Sequence, residues 1–302
     1  MTRLLNPAWR IFVDASRLWL GRNAFTHAGA LAFYTLFSLA PVVIIVVSIA
    51  GAVFGDDAAR GLVAARLTRL VGPDAAHAVQ DAVARSRPDV AGVFPAVTGL
   101  IALALGATTV FAQMQTSLNR IWGVTARPQR SGITLFVKNR IVSLAIVLTI
   151  GLVLLASLVA NVVLRSLVAY AEDWVQVSPL LVGAVEIVVS TVVFTLLFAV
   201  IFKVLPDAVV GWEDVWVGAA TTGVLFVAGQ SLIAAYLAVT APASAYGAAG
   251  SLVLLLLWVY YSALILYFGA AVTKAHVLAA GRVVVPRPTA VLVREELAEQ
   301  GV

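Results

Sequence analysis

One carboxylate stands well inside an apolar stretch long enough to cross a bilayer: Glu186, in the run Leu180–Phe202. An ionised side chain at such depth costs on the order of a few kcal/mol, so it faces a cavity, a partner or the interface. Glu186 lies six residues in from Leu180, and Gln230 lies eight residues before Ala238, the corresponding end of the next run. The two therefore sit at similar depth. Ser48 and Trp258 fall within about eight residues of the same surface, at 1.5 Å rise per helical residue. Ser190 is one turn below Glu186 on the same face, and Asn161 is nearer the surface. If these faces converge, they line a polar, ionisable substrate path that opens outwards. Two plainer readings stand beside it. A protonated Glu186 bonded to Gln230 or Ser190 would join helices, at ~0.6–2 kcal/mol per bond. Alternatively, Glu186 lies closer to the interface.

Other chemistry is thinner. Arg120, Arg127, Arg130, Lys138 and Arg140 form a basic connection without an acid. Anionic headgroups or a phosphate-bearing substrate would be drawn there at about 1 kcal/mol per basic residue, although topology alone requires the same cluster. Pro41 removes a hydrogen bond to the Phe37 carbonyl mid-helix and predicts a kink, which Ser38 partly re-satisfies. Such kinks mark substrate paths in transporters, yet proline is also ordinary in membrane helices. There is no cysteine, which excludes thiolate catalysis and cysteine metal ligands. No phosphate loop of the G-x-x-x-x-G-K-[ST] type is present, so primary nucleotide-driven transport is not expected. The three histidines, His27, His77 and His276, lack the spacing of a ligand cluster, and His77 falls across the bilayer from the other two. We expect no catalytic residues, metal, cofactor or specific nucleic-acid partner, and hence no enzyme.

The elements that must position these groups are six apolar runs, Gly29–Phe54, Phe94–Ala112, Ile141–Leu164, Leu180–Phe202, Val215–Ala238 and Ser251–Thr273. A hydrocarbon core of ~30 Å needs ~20 helical residues, and each run comes close to that or exceeds it. Hydrophobic residues make up 62% of the 302, charged ones 12%, and mean hydropathy is +1.01. The expected class is therefore all-α: a polytopic six-transmembrane-helix bundle in a bilayer. With helices in this order, fourteen Lys/Arg fall on one side and six on the other. The positive-inside rule then places both termini in the cytoplasm. Three segments follow: a cytoplasmic amphipathic N-terminal segment (1–28), the six-helix domain (29–273), and a cytoplasmic tail (274–302).

Within the first segment, Pro7–Arg22 reads as an interfacial helix. Arg10, Asp14, Arg17 and Gly21 share one face, opposite Ala8, Phe12, Ala15 and Trp19. The 55–93 insertion reads as two short amphipathic helices broken at Gly72-Pro73, forming an external cap that acts as a lid or a simple cover. Small residues predict close packing at Ala28/Ala32, at Gly99, Ala102 and Gly106, and at Gly269/Thr273.

Four ordered blocks carry a resemblance. The stretch His27-Ala28-Gly29-Ala30-Leu31-Ala32-Phe33-Tyr34-Thr35-Leu36-Phe37-Ser38-Leu39-Ala40-Pro41 comes first. Leu118-Asn119-Arg120-Ile121-Trp122 and Lys203-Val204-Leu205-Pro206-Asp207 follow. The fourth is Tyr246-Gly247-Ala248-Ala249-Gly250-Ser251, leading into Leu257-Trp258-Val259-Tyr260. Together they resemble the YihY/BrkB family of bacterial inner-membrane proteins, with Phe33-Tyr34 where Tyr-Tyr is common. The resemblance implies six spans with both termini inside the bacterial cytoplasmic membrane. Family labels include ribonuclease BN, virulence factor and a mover of lipid-linked material, without agreed catalytic residues to carry over. The function expected is a transporter or flippase-like exporter of an amphipathic, anionic or lipid-linked solute. A non-transporting envelope scaffold is the alternative, and a ribonuclease the remote third.

Overall fold

The computed structural model describes residues 7–38, 109–127, 179–240 and 250–293. Pro41, Ser48, Asn161, Arg130, Lys138, Arg140 and the 55–93 insertion lie outside the described residues. The described chain is mostly helical. Its helices are α1 (Pro7–Gly21), α2 (24–38), α3 (109–122), α4 (Pro179–Val204), α5 (Trp212–Thr240) and α6 (Gly250–Ala279). Proline opens α1 and α4, where its missing N–H has no helical partner to lose. Glu213 and Asp214 in the first turn of α5 suit its positive dipole end.

Three of these helices contain apolar segments long enough to span a bilayer: Gly183–Val204, Trp212–Ile233 and Leu255–Ala279. Helix α4 keeps large apolar side chains outside as well as inside, with Ile187 at 59% and Val188 at 60% exposure. A helix apolar all round belongs in lipid or a deep core, and this one is not in a core. α2 covers the start of the first apolar run, and α3 begins in the last residues of the second and continues past its end at Ala112 to residue 122.

α5 packs between α4 and α6 through small residues. Thr191 and Thr195 of α4 meet α5 at Gly223, while Gly218 and Thr222 of α5 meet Gly269 and Thr273 of α6. The Thr222 and Thr273 hydroxyls donate back to the carbonyls of Gly218 and Gly269, at 2.7 and 2.9 Å. Neither hydroxyl is thereby left without an acceptor in the seam. The expected stripes at Ala28/Ala32 and Gly269/Thr273 are indeed packed: Ala28, Ala32 and Thr273 are all buried.

α1 turns back at Arg22–Asn23, where Asn23 takes φ 54°, a left-handed conformation that asparagine tolerates. Phe12 and Trp19 stack edgewise on Phe268 of α6, and the Trp19 indole donates to the Leu264 carbonyl at 3.1 Å. The opposite, polar face of α1 stands over Ala275, Leu278 and Ala279. Phe268 and Ala275 are about 10 Å apart along a helix axis, roughly one helix diameter. So α1 crosses α6 instead of running along it, the geometry of a helix lying in the interface.

The chain after α6 adds an element outside the all-α expectation. α6 ends in a Schellman turn, with Arg282 N–H bonding to Val277 and Gly281 N–H to Leu278; Gly281 supplies the required φ of 73°. The following residues form two short antiparallel ribbons. β1 (Val124–Ala126) pairs with β4 (Ala290–Leu292), and β2 (Ala208–Val209) pairs with β3 (Val285–Pro286). The segment after α6 is thus strapped across the ends of α3 and α4.

Candidate functional site

Glu186, Ser190, Gln230 and Trp258 are all half-buried. Thr195 meets Gly223 between α4 and α5, and Gly229 meets Tyr261 between α5 and α6. Carried along these antiparallel pairs, the register sets Glu186 level with residues near 232 of α5, and those level with residues near 258 of α6. The three helices therefore present Glu186, Gln230 and Trp258 at one height, as the depth argument expected. Trp258 packs edgewise on Phe226 at 5.8 Å, and Phe226 lies 4.5 Å from Phe194, ring centre to centre. An aromatic stack thus borders this level on the side toward the α4–α5 turn. Ser48 and Asn161 lie outside the described residues.

A second polar assembly closes the end of the bundle where α4 turns into α5. The Asn119 side chain donates to the Asp207 carboxylate at 2.8 Å and accepts from the Asp207 backbone N–H at 2.8 Å. Gln115 adds longer contacts to the same carboxylate at 3.4 and 3.5 Å. Arg287 N–H donates to the Asp207 carbonyl at 2.9 Å, and its guanidinium to the Lys203 carbonyl at 3.0 Å. Lys203 in turn donates to the Val210 carbonyl and stands 5.4 Å above the Trp212 ring. Lys274 is buried and caps α3 by donating to the carbonyls of Ile121 and Trp122 at 2.9 and 3.1 Å. A cation there meets the negative end of the α3 dipole. Asp214, also buried, pairs with Arg282 and lies 3.8 Å from His276.

Two of the blocks singled out in the sequence, Leu118–Trp122 and Lys203–Asp207, meet in this junction. The family model for Virulence factor BrkB matches residues 16–286. The chain belongs to that family. No solved structure matches it. BrkB membership and the long apolar helices make it an integral membrane protein.

In this BrkB protein the junction is built to hold backbone. Lys203, Lys274 and Arg287 spend donors on carbonyl oxygens, and Asp207 is spanned by two amide side chains. Among the described residues no three His, Asp or Glu side chains converge to hold a metal ion. Of the expected headgroup contacts, Arg120 and Arg127 are exposed, and the Arg127 N–H joins the ribbon by donating to Thr289 at 3.0 Å. Reading the sequence missed Lys274 and the Asn119–Asp207 pair. Their only advance signal was membership of the ordered blocks or a lone lysine at a helix end. The buried Trp122 Nε1 and Tyr267 Oη have no hydrogen-bond partner among the described residues.

His27 gives this end a pH dependence. Ser117 donates its hydroxyl to the Gln113 carbonyl at 2.9 Å, so His27 meets Ser117 Oγ, at 3.3 Å, as an Nδ1–H donor. Burial first, and the Arg120 guanidinium second, hold the His27 pKa below its ordinary 6.5. A depressed histidine leaves the unfolded chain with more bound protons between its two pKa values. Stability is therefore expected to fall as pH drops through about 6.5 and to be free of this penalty above it. Melts in detergent at about pH 7.5 and 5.5 check this, because His27→Gln removes that titration. An unchanged acid loss in His27→Gln would assign it elsewhere.

Proposed function

We propose that this protein is a carrier for an amphipathic or lipid-linked solute in the bacterial inner membrane, with both termini cytoplasmic, and that it is not an enzyme. The observation that supports this best is Glu186: an ionisable group, half-buried in a long apolar helix, level with Gln230 and Trp258 on two neighbouring helices. Intramembrane carboxylates in such positions serve solute or proton paths. The closed junction at the other height would then act as the cytoplasmic-side barrier.

A lipid-flip assay on the full chain in vesicles tests it. Fluorescent-headgroup phosphatidylglycerol in the inner leaflet should become accessible to an impermeant quencher faster with protein than without. Glu186→Gln keeps most hydrogen-bonding capacity but not the charge, and is expected to slow this at least about tenfold, about 1.4 kcal/mol, with an unchanged melting temperature. Equal rates for Glu186→Gln and the parent would reduce Glu186 to a link between helices. A non-transporting scaffold is the second reading. It is favoured by the junction, where the charged groups are consumed in holding backbone. No flip activity together with co-purification of a defined envelope complex would select it.

A further inference from the structure

The crossing of α1 over α6 leaves an open groove of about 800 Å³, between the polar face of α1 and the last turns of α6. Its charged lining is Arg10, Arg17 and Arg22 against the single carboxylate of Asp14, and its apolar walls include Ile11 and Leu278. Arg10 and Asp14 are four apart, Asp14 and Arg17 three apart, the spacings at which helix surfaces form ion pairs. None of these three forms an ion pair among the described residues. Both Arg10 and Arg17 are exposed to the groove side of α1. The far side of the same helix carries Trp9, Phe12 and Leu20 at 51, 49 and 58% exposure. These are the side chains of a surface that meets acyl chains at the interface.

We propose that this groove is a binding site for the headgroup of an anionic glycerophospholipid. Its phosphate would be held by Arg10 and Arg17, and a headgroup hydroxyl would donate to Asp14. Three features select this occupant. Two cations, Arg10 and Arg17, neither of them ion-paired among the described residues, against the one carboxylate of Asp14 favour a net negative head. A carboxylate between the arginines calls for a donor on the ligand, which a glycerol head supplies and a choline head does not. Apolar side chains in the lining, Ile11, Leu18 and Leu278, suit a ligand with acyl chains over a soluble phosphate. The site is separate from Glu186 and stands whether or not the protein transports.

Native mass spectrometry of the detergent-solubilised full chain tests it, with stepwise addition of dioleoyl-phosphatidylglycerol or dioleoyl-phosphatidylcholine. Phosphatidylglycerol is expected to bind at least about tenfold more tightly, and Arg10→Gln/Arg17→Gln to weaken it about ten- to thirtyfold, the factor for two basic groups at a bilayer surface. Binding of phosphatidylcholine should not change. Either single substitution is expected to give about fivefold, so the readout survives failure of the double variant to purify. Arg10→Lys/Arg17→Lys keeps the charge and should retain most of the preference. Unchanged phosphatidylglycerol affinity in the glutamine variants would overturn the proposal. Competition by soluble glycerol 3-phosphate at concentrations like the lipid's would also overturn it, by making this a site for free anions.

Discussion

Gly218→Ala is expected to leave little folded protein. A methyl group at 218 would lie 1.9 Å from Thr273 Oγ1 and 2.4 Å from the Gly269 backbone carbonyl oxygen. The threonine hydroxyl can rotate away, but the carbonyl belongs to α6 itself. α5 and α6 must then separate along the seam that carries both threonine back-bonds. Overpacking costs ~1–3 kcal/mol and more when backbone has to move, so we expect about 3 kcal/mol or above. Gly269→Ala is the internal comparison. Its new methyl meets Thr222 Oγ1 at 1.7 Å, with the nearest backbone atom, Gly218 O, at 3.1 Å. That clash is chiefly with one side chain, so Gly269→Ala should be milder and partly rescued by Thr222→Ala. Thermal melts in detergent supply the order. A Gly218→Ala protein melting with the parent would mean that the two helices do not approach this closely.

Asn119→Ala is expected to open the junction at the α4–α5 turn. It removes the 2.8 Å bond to the Asp207 carboxylate and leaves the Asp207 N–H without its acceptor. A hydrogen bond to a charged group contributes ~1.5–3 kcal/mol, and an orphaned buried donor costs ~1–3 kcal/mol. Asp207 is only half-buried, so the combined loss is expected at about 3 kcal/mol, within the lower part of that range. Asp207→Asn preserves the backbone half of the pair and should lose about 1 kcal/mol. Gln115→Ala, which removes only the 3.4–3.5 Å contacts, should lose less than either. Denaturation midpoints in one detergent decide the order. If Asp207→Asn matched Asn119→Ala, the carboxylate charge would hold the junction and the two-point pairing would not.

What the sequence made legible follows from the range of each signal. Apolar run length is a local quantity, and α4, α5 and α6 fall on three of the six runs read from it. The edges were misplaced for a physical reason. α6 continues to Ala279 past the expected end at Thr273, because Lys274 is buried and spends its charge on two carbonyls and so does not mark the water boundary. α2 likewise begins at residue 24, ahead of Gly29, since His27 is accommodated by Ser117. The common height of Glu186, Gln230 and Trp258 was also readable, because counting residues along antiparallel helices needs no partner information. The junction was not. Asn119 and Asp207 are 88 residues apart, and no periodicity connects them. The ribbons escaped for a related reason: strands of two or three residues are too short to show alternation.

The ribbon that joins Ala126 to Ala290 also sets an order of events at the ribosome. About 160 residues separate the partners, and at ~5–20 residues per second their synthesis takes about 8 to 30 s. During that interval the end of α3 is made and waiting, without the strand that later straps it. Lys274, which caps the same end, emerges only slightly earlier than that strand. This end of the protein is therefore the last to lock. α2 and α3 have the whole of that time to find their places, whereas α6, which ends at Ala279, has only about 0.5 to 2 s before the fastening is drawn.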